Sequence, residues 1–313
     1  MRTETRDRVL QAALDLDFRP NRLARALVTA RTHTIGAIVH DISDPYFGEI
    51  VRGLEDGARL EDYQVFVCSS DRDPERELGY VRALLSYRVD GLVFAGGGIE
   101  HRAYQRELAR LIEDYRQHGG GVVVLAPHSV RAPSATVDNR AGAFQMTRHL
   151  VDLGHRHIGF IAGPPLIRTS RVRLEGYRAA LQDASVSYDP DRVAVGWFTS
   201  EGGAKAVSEL LERDRDITAV FAANDVMAFG VLHELAGRGI RVPGDISVGG
   251  FDDIQMAEFV HSPLTTVRMP MYNMGRSGAR MVLDLLAGRR VRSQRLPVEI
   301  VVRSSTAPPG APR

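Results

Sequence analysis

The sequence predicts an α/β protein made of two doubly wound parallel-sheet lobes. Three observations lead there. From Thr34 onward, short β-branched runs alternate with helical periods; the runs form a series of five and a series of four; and 313 residues exceed the usual size of one domain. Continuous apolar strands set between helices are the mark of parallel sheets covered on both faces. Two such sheets suit this strand number better than one very wide sheet.

The elements follow in order. Residues 1–15 alternate charges with Val9, Leu10, Ala13 and Leu14, an amphipathic helical pattern with no apolar core of a secretory signal. The first strand series is expected at 35–39, 64–68, 91–95, 122–125 and 136–137, with helices at 46–61, 75–87, 103–118 and 142–153. A break near Gly154-His155 separates it from strands at 158–162, 193–198, 219–222 and 247–251, with helices at 173–183, 202–213 and 226–238. A last helix at 275–286 and a strand-like run at 297–302 return to one lobe or the other. The tail 306–313 carries three prolines and reads as disordered.

Composition narrows the function. A net charge of +1, with 44% apolar and 25% charged residues, gives no global attraction to nucleic acid or membrane, so any basic patch is local. No run approaches the ~18 apolar residues of a membrane span. The single Cys68 excludes an intramolecular disulfide framework and, within an apolar run, reads as a buried inert thiol; a cytoplasmic protein is expected.

Catalytic spacings are missing. There is no G-x-S-x-G, no G-x-x-x-x-G-K-[ST] and no H-E-x-x-H, and Gly96-Gly97-Gly98 fails as a dinucleotide fingerprint on its third glycine. His155 and His157 alternate to one face of a strand, a weak metal pair and more commonly a solvated one. Lys205, the only lysine, has nothing nearby to depress its pKa. No enzyme, metal or cofactor is expected.

In doubly wound folds, ligands bind beyond the carboxyl ends of the strands. The polar residues there are 41–47, Asp138-Asn139, 163–173, Trp197-Phe198, Asn224-Asp225 and Asp252-Asp253. Singly, Asp44, Asp138 and Asn224 read equally well as helix caps. As a set drawn from both lobes, they suggest a site for a small polar ligand.

One segment stands apart. From Phe18 to Arg31 there are four arginines and no acid, directly ahead of the first strand. Pro20 suits the first turn of a short helix, which sets Leu23 and Leu27 on one face with Arg22 and Arg25 beside them. So short a helix is marginal alone in water. A DNA minor groove would satisfy both its arginines and its leucines; packing on the protein as an amphipathic linker is the even alternative.

Here the residues reach a resemblance. Arg19-Pro20-Asn21-Arg22-Leu23-Ala24-Arg25-Ala26-Leu27, Thr34-Ile35-Gly36, and Asp41-Ile42-Ser43-Asp44-Pro45-Tyr46-Phe47 resemble the LacI/GalR family of bacterial transcription repressors. So do Val137-Asp138-Asn139, Leu153-Gly154-His155, Ile161-Ala162-Gly163-Pro164, Gly239-Ile240-Arg241-Val242-Pro243, Ser247-Val248-Gly249-Gly250-Phe251-Asp252-Asp253 and Leu264-Thr265-Thr266-Val267. The match runs in order over nearly the whole chain.

The resemblance implies a homodimeric regulator with a periplasmic-binding-protein-like core of type I, gated by a small effector between lobes that the chain crosses between three times. It implies DNA contacts at Arg19, Asn21, Arg22, Arg25 and Leu27, with 20–27 as hinge helix and Leu27 as minor-groove wedge. It implies effector contacts at Tyr46 and Phe47 in one lobe, and at Thr169, Arg173, Phe198, Phe221, Asn224 and Asp252 in the other; Asp138 joins them as a strand-end residue. The expected organisation is a partial headpiece and hinge at 1–33, a first lobe at 34–154 with 270–298, a second at 155–269 with 299–306, and a disordered tail at 307–313. The family's headpiece has three helices, of which 1–10 resembles only the third; a start placed too far downstream is favoured over a natural truncation.

Arg173 can fork to vicinal hydroxyls, Asp252 can accept from them, and Phe198 can stack on a sugar face, which favours a monosaccharide or polyol. A purine would want a polar group where Ile167 stands. Arg173 also reads as a structural partner of Asp252. The rivals are a ligand sensor that has lost DNA binding and a sugar-binding protein of a transport system, which would need a leader or lipid anchor.

Overall fold

The computed structural model describes residues 3–16 and 31–310. Helix α1 spans Thr3–Asp15. The expected hinge helix, and with it Arg19, Asn21, Arg22, Arg25 and Leu27, lies outside the described residues.

The first lobe runs β1 (Thr34–Val39), α2 (Pro45–Arg59), β2 (Gln64–Ser69), α3 (Pro74–Ser86), β3 (Gly91–Phe94), α4 (Arg102–Gln117), β4 (Gly121–Val124) and β5 (Ala135–Val137). Its parallel sheet has the order β2-β1-β3-β4. Every residue of β1 is buried, as a central strand covered by helices on both faces requires. The second lobe runs α5 (Asn139–Asp152), β6 (Ile158–Ala162), α6 (Arg168–Asp183), β7 (Val193–Val195), α7 (Ser200–Arg213), β8 (Ala219–Ala222), α8 (Asp225–Gly237) and β9 (Ser247–Gly249). Its parallel sheet repeats the order as β7-β6-β8-β9. In each sheet the order reverses beside the first strand, and this switch point is where loops diverge to leave a crevice.

The rest of the chain crosses back twice. After β10 (Thr266–Arg268), helix α9 (Met271–Leu286) returns to the first lobe and packs on α2, and β11 (Gln294–Leu296) pairs with β5. Then β12 (Glu299–Val301) pairs antiparallel with β10. The α2–α9 contact brings backbones together: Gly53 lies against Tyr272 O, and Gly275 against Ile50 O.

Five expectations need correction. The first lobe ends near 138 rather than 154, because α5 packs on α6 so closely that Gly176 meets the backbone of Arg140. The Gly154 signal marks the end of that helix, not a lobe boundary. The tail is held through 310: Ala307 N–H donates to Ser247 Oγ (3.0 Å), and Ala307 O accepts from His155 Nε2 (2.9 Å). His155 is therefore a buried structural residue, its Nδ1 accepting from Thr218 (2.9 Å), rather than one of a solvated pair. The strand expected at 193–198 stops at Val195, since Trp197 (φ 59°) and Phe198 (φ 61°) turn left-handed. Cys68 is half-buried, because β2 is an edge strand with one open face.

Candidate functional site

The loops at the carboxyl ends of both sheets enclose one cavity of about 410 Å³, its mouth included, lined by residues of both lobes. From the first lobe come His40, Asp44, Tyr46, Phe47 and Arg72; from the second come Ile167, Thr169, Arg173, Phe198, Asn224 and Asp252. Seven of the residues expected to contact effector thus meet there: Tyr46, Phe47, Thr169, Arg173, Phe198, Asn224 and Asp252.

Two do not. Phe221 is fully buried in β8, its ring against Phe160 at 5.3 Å, because a strand covered on both faces sends both sides into core. Asp138 caps α5 through Ala141 N–H (2.9 Å), pairs with Arg295 (3.0 Å) and lines a different cavity near the lobe boundary. The exposed Trp197 neither narrows the first cavity nor packs in the core.

Capping and cavity lining coexist at Asp44 and Asn224. Asp44 accepts from Tyr46 N–H (3.0 Å) at the start of α2. Asn224 Oδ1 accepts from Met227 N–H (3.0 Å), which leaves its amide NH2 to donate elsewhere. The caps fix both side chains at the cavity wall.

Arg173 is held on every side. Its Nε donates to Asn139 Oδ1 (2.9 Å), Nη1 to Ala223 O, and Nη2 to Asp252 Oδ1 (3.0 Å). Its guanidinium carbon lies 3.7 Å from the Phe251 ring centroid. Burial pushes the Asp252 carboxyl above the ordinary range, and Arg173 draws it back. The structural reading of Arg173 therefore holds alongside its place in the cavity wall: the pair neutralises itself and presents fixed polar edges.

Backbone strain surrounds the cavity. Asp71 (φ 51°) and Arg72 (φ 62°), Trp197 and Phe198, and Asp252 (φ 116°) and Asp253 (φ 56°) are three left-handed pairs, none with glycine. Such conformations cost on the order of 1 kcal/mol each and persist only where the surroundings hold them. They turn Arg72, Phe198 and Asp252 inward. Phe198 has room because Gly163, without a Cβ, lies under its ring. Gly96 likewise makes room for the His40 ring and Gly97 for Thr169.

Two cavity residues escaped the sequence reading. Burial holds the His40 imidazole down at about 3, with Arg72 and His128 nearby adding to the shift, so the ring is neutral near pH 7. Arg72 lies over the Phe198 ring at 5.7 Å. Both follow strand ends, His40 directly after β1 and Arg72 after β2, so the strand-end rule extended by one residue and one strand would have found them.

The lobes are clasped beside the cavity. Glu100 N–H donates to Leu166 O (2.8 Å), Arg168 N–H donates to Gly98 O (3.0 Å), and Arg171 pairs with Glu100. Neither sheet contributes a strand to these bonds.

The chain matches the family of periplasmic binding protein-like domains over residues 147–306. It is 34% identical to the HTH-type transcriptional repressor CytR of Escherichia coli (strain K12) over 306 residues, 96% of this chain and 87% of that one. Its fold matches a LacI family transcriptional regulator from Enterococcus faecium with bound ribose at a TM-score of 0.77 and 29% identity, covering 88% of this chain and 99% of that one. It also matches the transcriptional regulator CelR in complex with cellobiose at a TM-score of 0.76 and 32% identity, covering 97% of this chain and 91% of that one. Relatives of this similarity are regulators and not enzymes, and the chain belongs to the LacI family of transcriptional regulators.

Proposed function

We propose that this regulator binds operator DNA as a homodimer and that a carbohydrate held between its lobes gates that binding. The observation that carries the effector half is the shared cavity, whose polar edges come from both lobes and so respond to their separation. Phe198 offers a face for a sugar ring, and Asn224 and the Arg173–Asp252 pair offer donors and acceptors for hydroxyls. Ribose and cellobiose in the matched structures support that class. The apolar Ile167 in the wall argues against a purine.

The DNA half rests on the segment 19–27, where Arg19, Asn21, Arg22 and Arg25 would contact the duplex and Leu27 would wedge the minor groove. A second copy is the natural partner of a symmetric regulator. The edge strand β2, with Phe66 44% and Val67 37% exposed, offers apolar surface for one. Among the described residues no helix is long and apolar enough to cross a membrane.

The effector reading is tested by calorimetric titration with a panel of monosaccharides, disaccharides and nucleosides. A carbohydrate is expected to bind one per chain while nucleosides give no heat. Saturable binding of nucleosides alone would overturn it.

A further inference from the structure

We infer that the effector is an acidic carbohydrate whose carboxylate is held between Arg72 and the N-terminus of α6. This rests on the carbohydrate reading above and adds the charge of the ligand.

Arg72 is a cation committed to no partner. Among the described residues its Nε is buried without a hydrogen bond, and no carboxylate lies within ion-pair distance. The three carboxylates that face it are engaged elsewhere. Asp44 caps α2, Asp41 accepts from Ser43 N–H (2.9 Å) and Ser43 Oγ (2.6 Å), and Asp71 pairs with Arg76. Their combined attraction does not offset burial, which lowers the Arg72 pKa. What aims Arg72 inward is therefore the left-handed turn at Asp71-Arg72 and the Phe198 ring. Behind that turn, Ser70 Oγ bridges Val39 O (3.1 Å) and the buried Glu77 (3.0 Å), anchoring the loop. A buried donor on a charged group is costly unless a partner closes on it.

A second positive feature faces the same space. Helix α6 is preceded by Ile167, which supplies no capping side chain, and its first turn contains no acid. The helices α2, α3, α4, α5, α7 and α8 are capped by Asp44, Asp73, His101, Asp138, Thr199 and Asn224, whereas α9, like α6, has no side-chain cap. Ile167 and Thr169, which open α6, line the cavity with Arg72. Arg168 N–H is taken by Gly98 O, but the N–H groups that follow it, at the positive pole of a helix of 16 residues, favour an anion.

Asp252 is matched by Arg173, while among the described residues neither Arg72 nor Asp44 of the same wall has an ion-pair partner, so the site suits a ligand of no more than one negative charge. A phosphate dianion would set a second negative charge against Asp44 and Asp252, which line the same wall.

Matched pairs decide it: neutral hexoses and pentoses against their uronates, aldonates and phosphates, titrated into the full chain by calorimetry and by emission of Trp197, the only tryptophan. One uronate or aldonate is expected to bind roughly 10- to 100-fold more tightly than its neutral parent, the worth of a charged hydrogen-bonded contact. Arg72→Gln should bring the ratio of acid to neutral-parent affinity close to one, whatever it does to either affinity alone, and Arg72→Lys should restore part of that ratio. Equal affinity for acid and parent, or a preference that survives Arg72→Gln, overturns the inference and leaves the carbohydrate reading standing. Tighter binding of the phosphates overturns the carboxylate. Failure of every carbohydrate, neutral or charged, overturns both readings.

Discussion

Replacing Arg173 with Ala is expected to destabilise the protein by about 3–5 kcal/mol and to abolish effector binding. The cost is that of breaking a buried ion pair from one side, which leaves the other charge without a partner. Arg173 is 3% and Asp252 4% exposed, so water cannot replace the lost bonds. Asn139 Oδ1 and Ala223 O lose donors at the same time. Lysine should not rescue, because a single ammonium cannot span three acceptors set in the plane of a guanidinium.

The pH dependence of that deficit has a definite sign. Burial already raises the Asp252 pKa, and Arg173 pulls it down; without Arg173 it rises further. A carboxyl whose folded pKa exceeds its unfolded value weakens the fold above that unfolded pKa, and the penalty fades as falling pH protonates it in the folded state. The stability gap between wild type and Arg173→Ala should therefore shrink between pH 8 and pH 5. Urea denaturation at these two pH values measures it, and a gap that widens on acidification contradicts the ion-pair account. Adding Asp252→Ala to Arg173→Ala should cost less than the sum of the single changes, since each removes the same pair.

The second large effect lies away from the cavity, at Gly275. Its Cβ would overlap Ile50 O and stand 2.8 Å from Leu54 N, both backbone atoms of α2 that cannot rotate away. Gly53 and Gly57 face α9 in the same manner, a Cβ on the latter standing 2.7 Å from Ala279 Cβ, so the helices have no slack along their crossing. Gly275→Ala should destabilise by about 1–3 kcal/mol, the usual cost of forcing a methyl into a packed interface. Gly79, inside α3 with no atom within 4 Å of where a Cβ would be, is the control. There alanine should stabilise by roughly 0.5–1 kcal/mol through its lower backbone entropy. A neutral Gly275→Ala would show that α2 and α9 are free to separate.

How much of this could be read from residues alone depends on what each residue answers to. Strand and helix alternation was legible because burial on both faces forces continuous apolar runs such as 35–39 and 158–162. The caps Asp44, Asp138 and Asn224 were legible because capping is local. The role of Arg72 was not, since it depends on a left-handed turn and on Phe198, more than a hundred residues away. Phe221 was misplaced because the resemblance carries over a position and not the packing around it, and in β8 that ring turns to Phe160. The lobe boundary was misplaced because α5 follows β5 in sequence but finds its partner in α6. The start of α6 was set at 173 instead of 168, since Ile167 gives no capping signal. That early start puts Thr169 in the first turn.

The most direct test of effector-gated DNA binding is reciprocal. Operator affinity is measured with and without saturating effector, and effector affinity with and without operator, on the full-length protein at fixed salt. Gating through lobe orientation predicts that each ligand shifts the other's Kd by the same factor, on the order of 5- to 150-fold. Leu27→Ala should weaken operator binding while leaving effector affinity intact in the absence of DNA. An effector that occupies the cleft stoichiometrically yet leaves operator affinity unchanged would contradict the account.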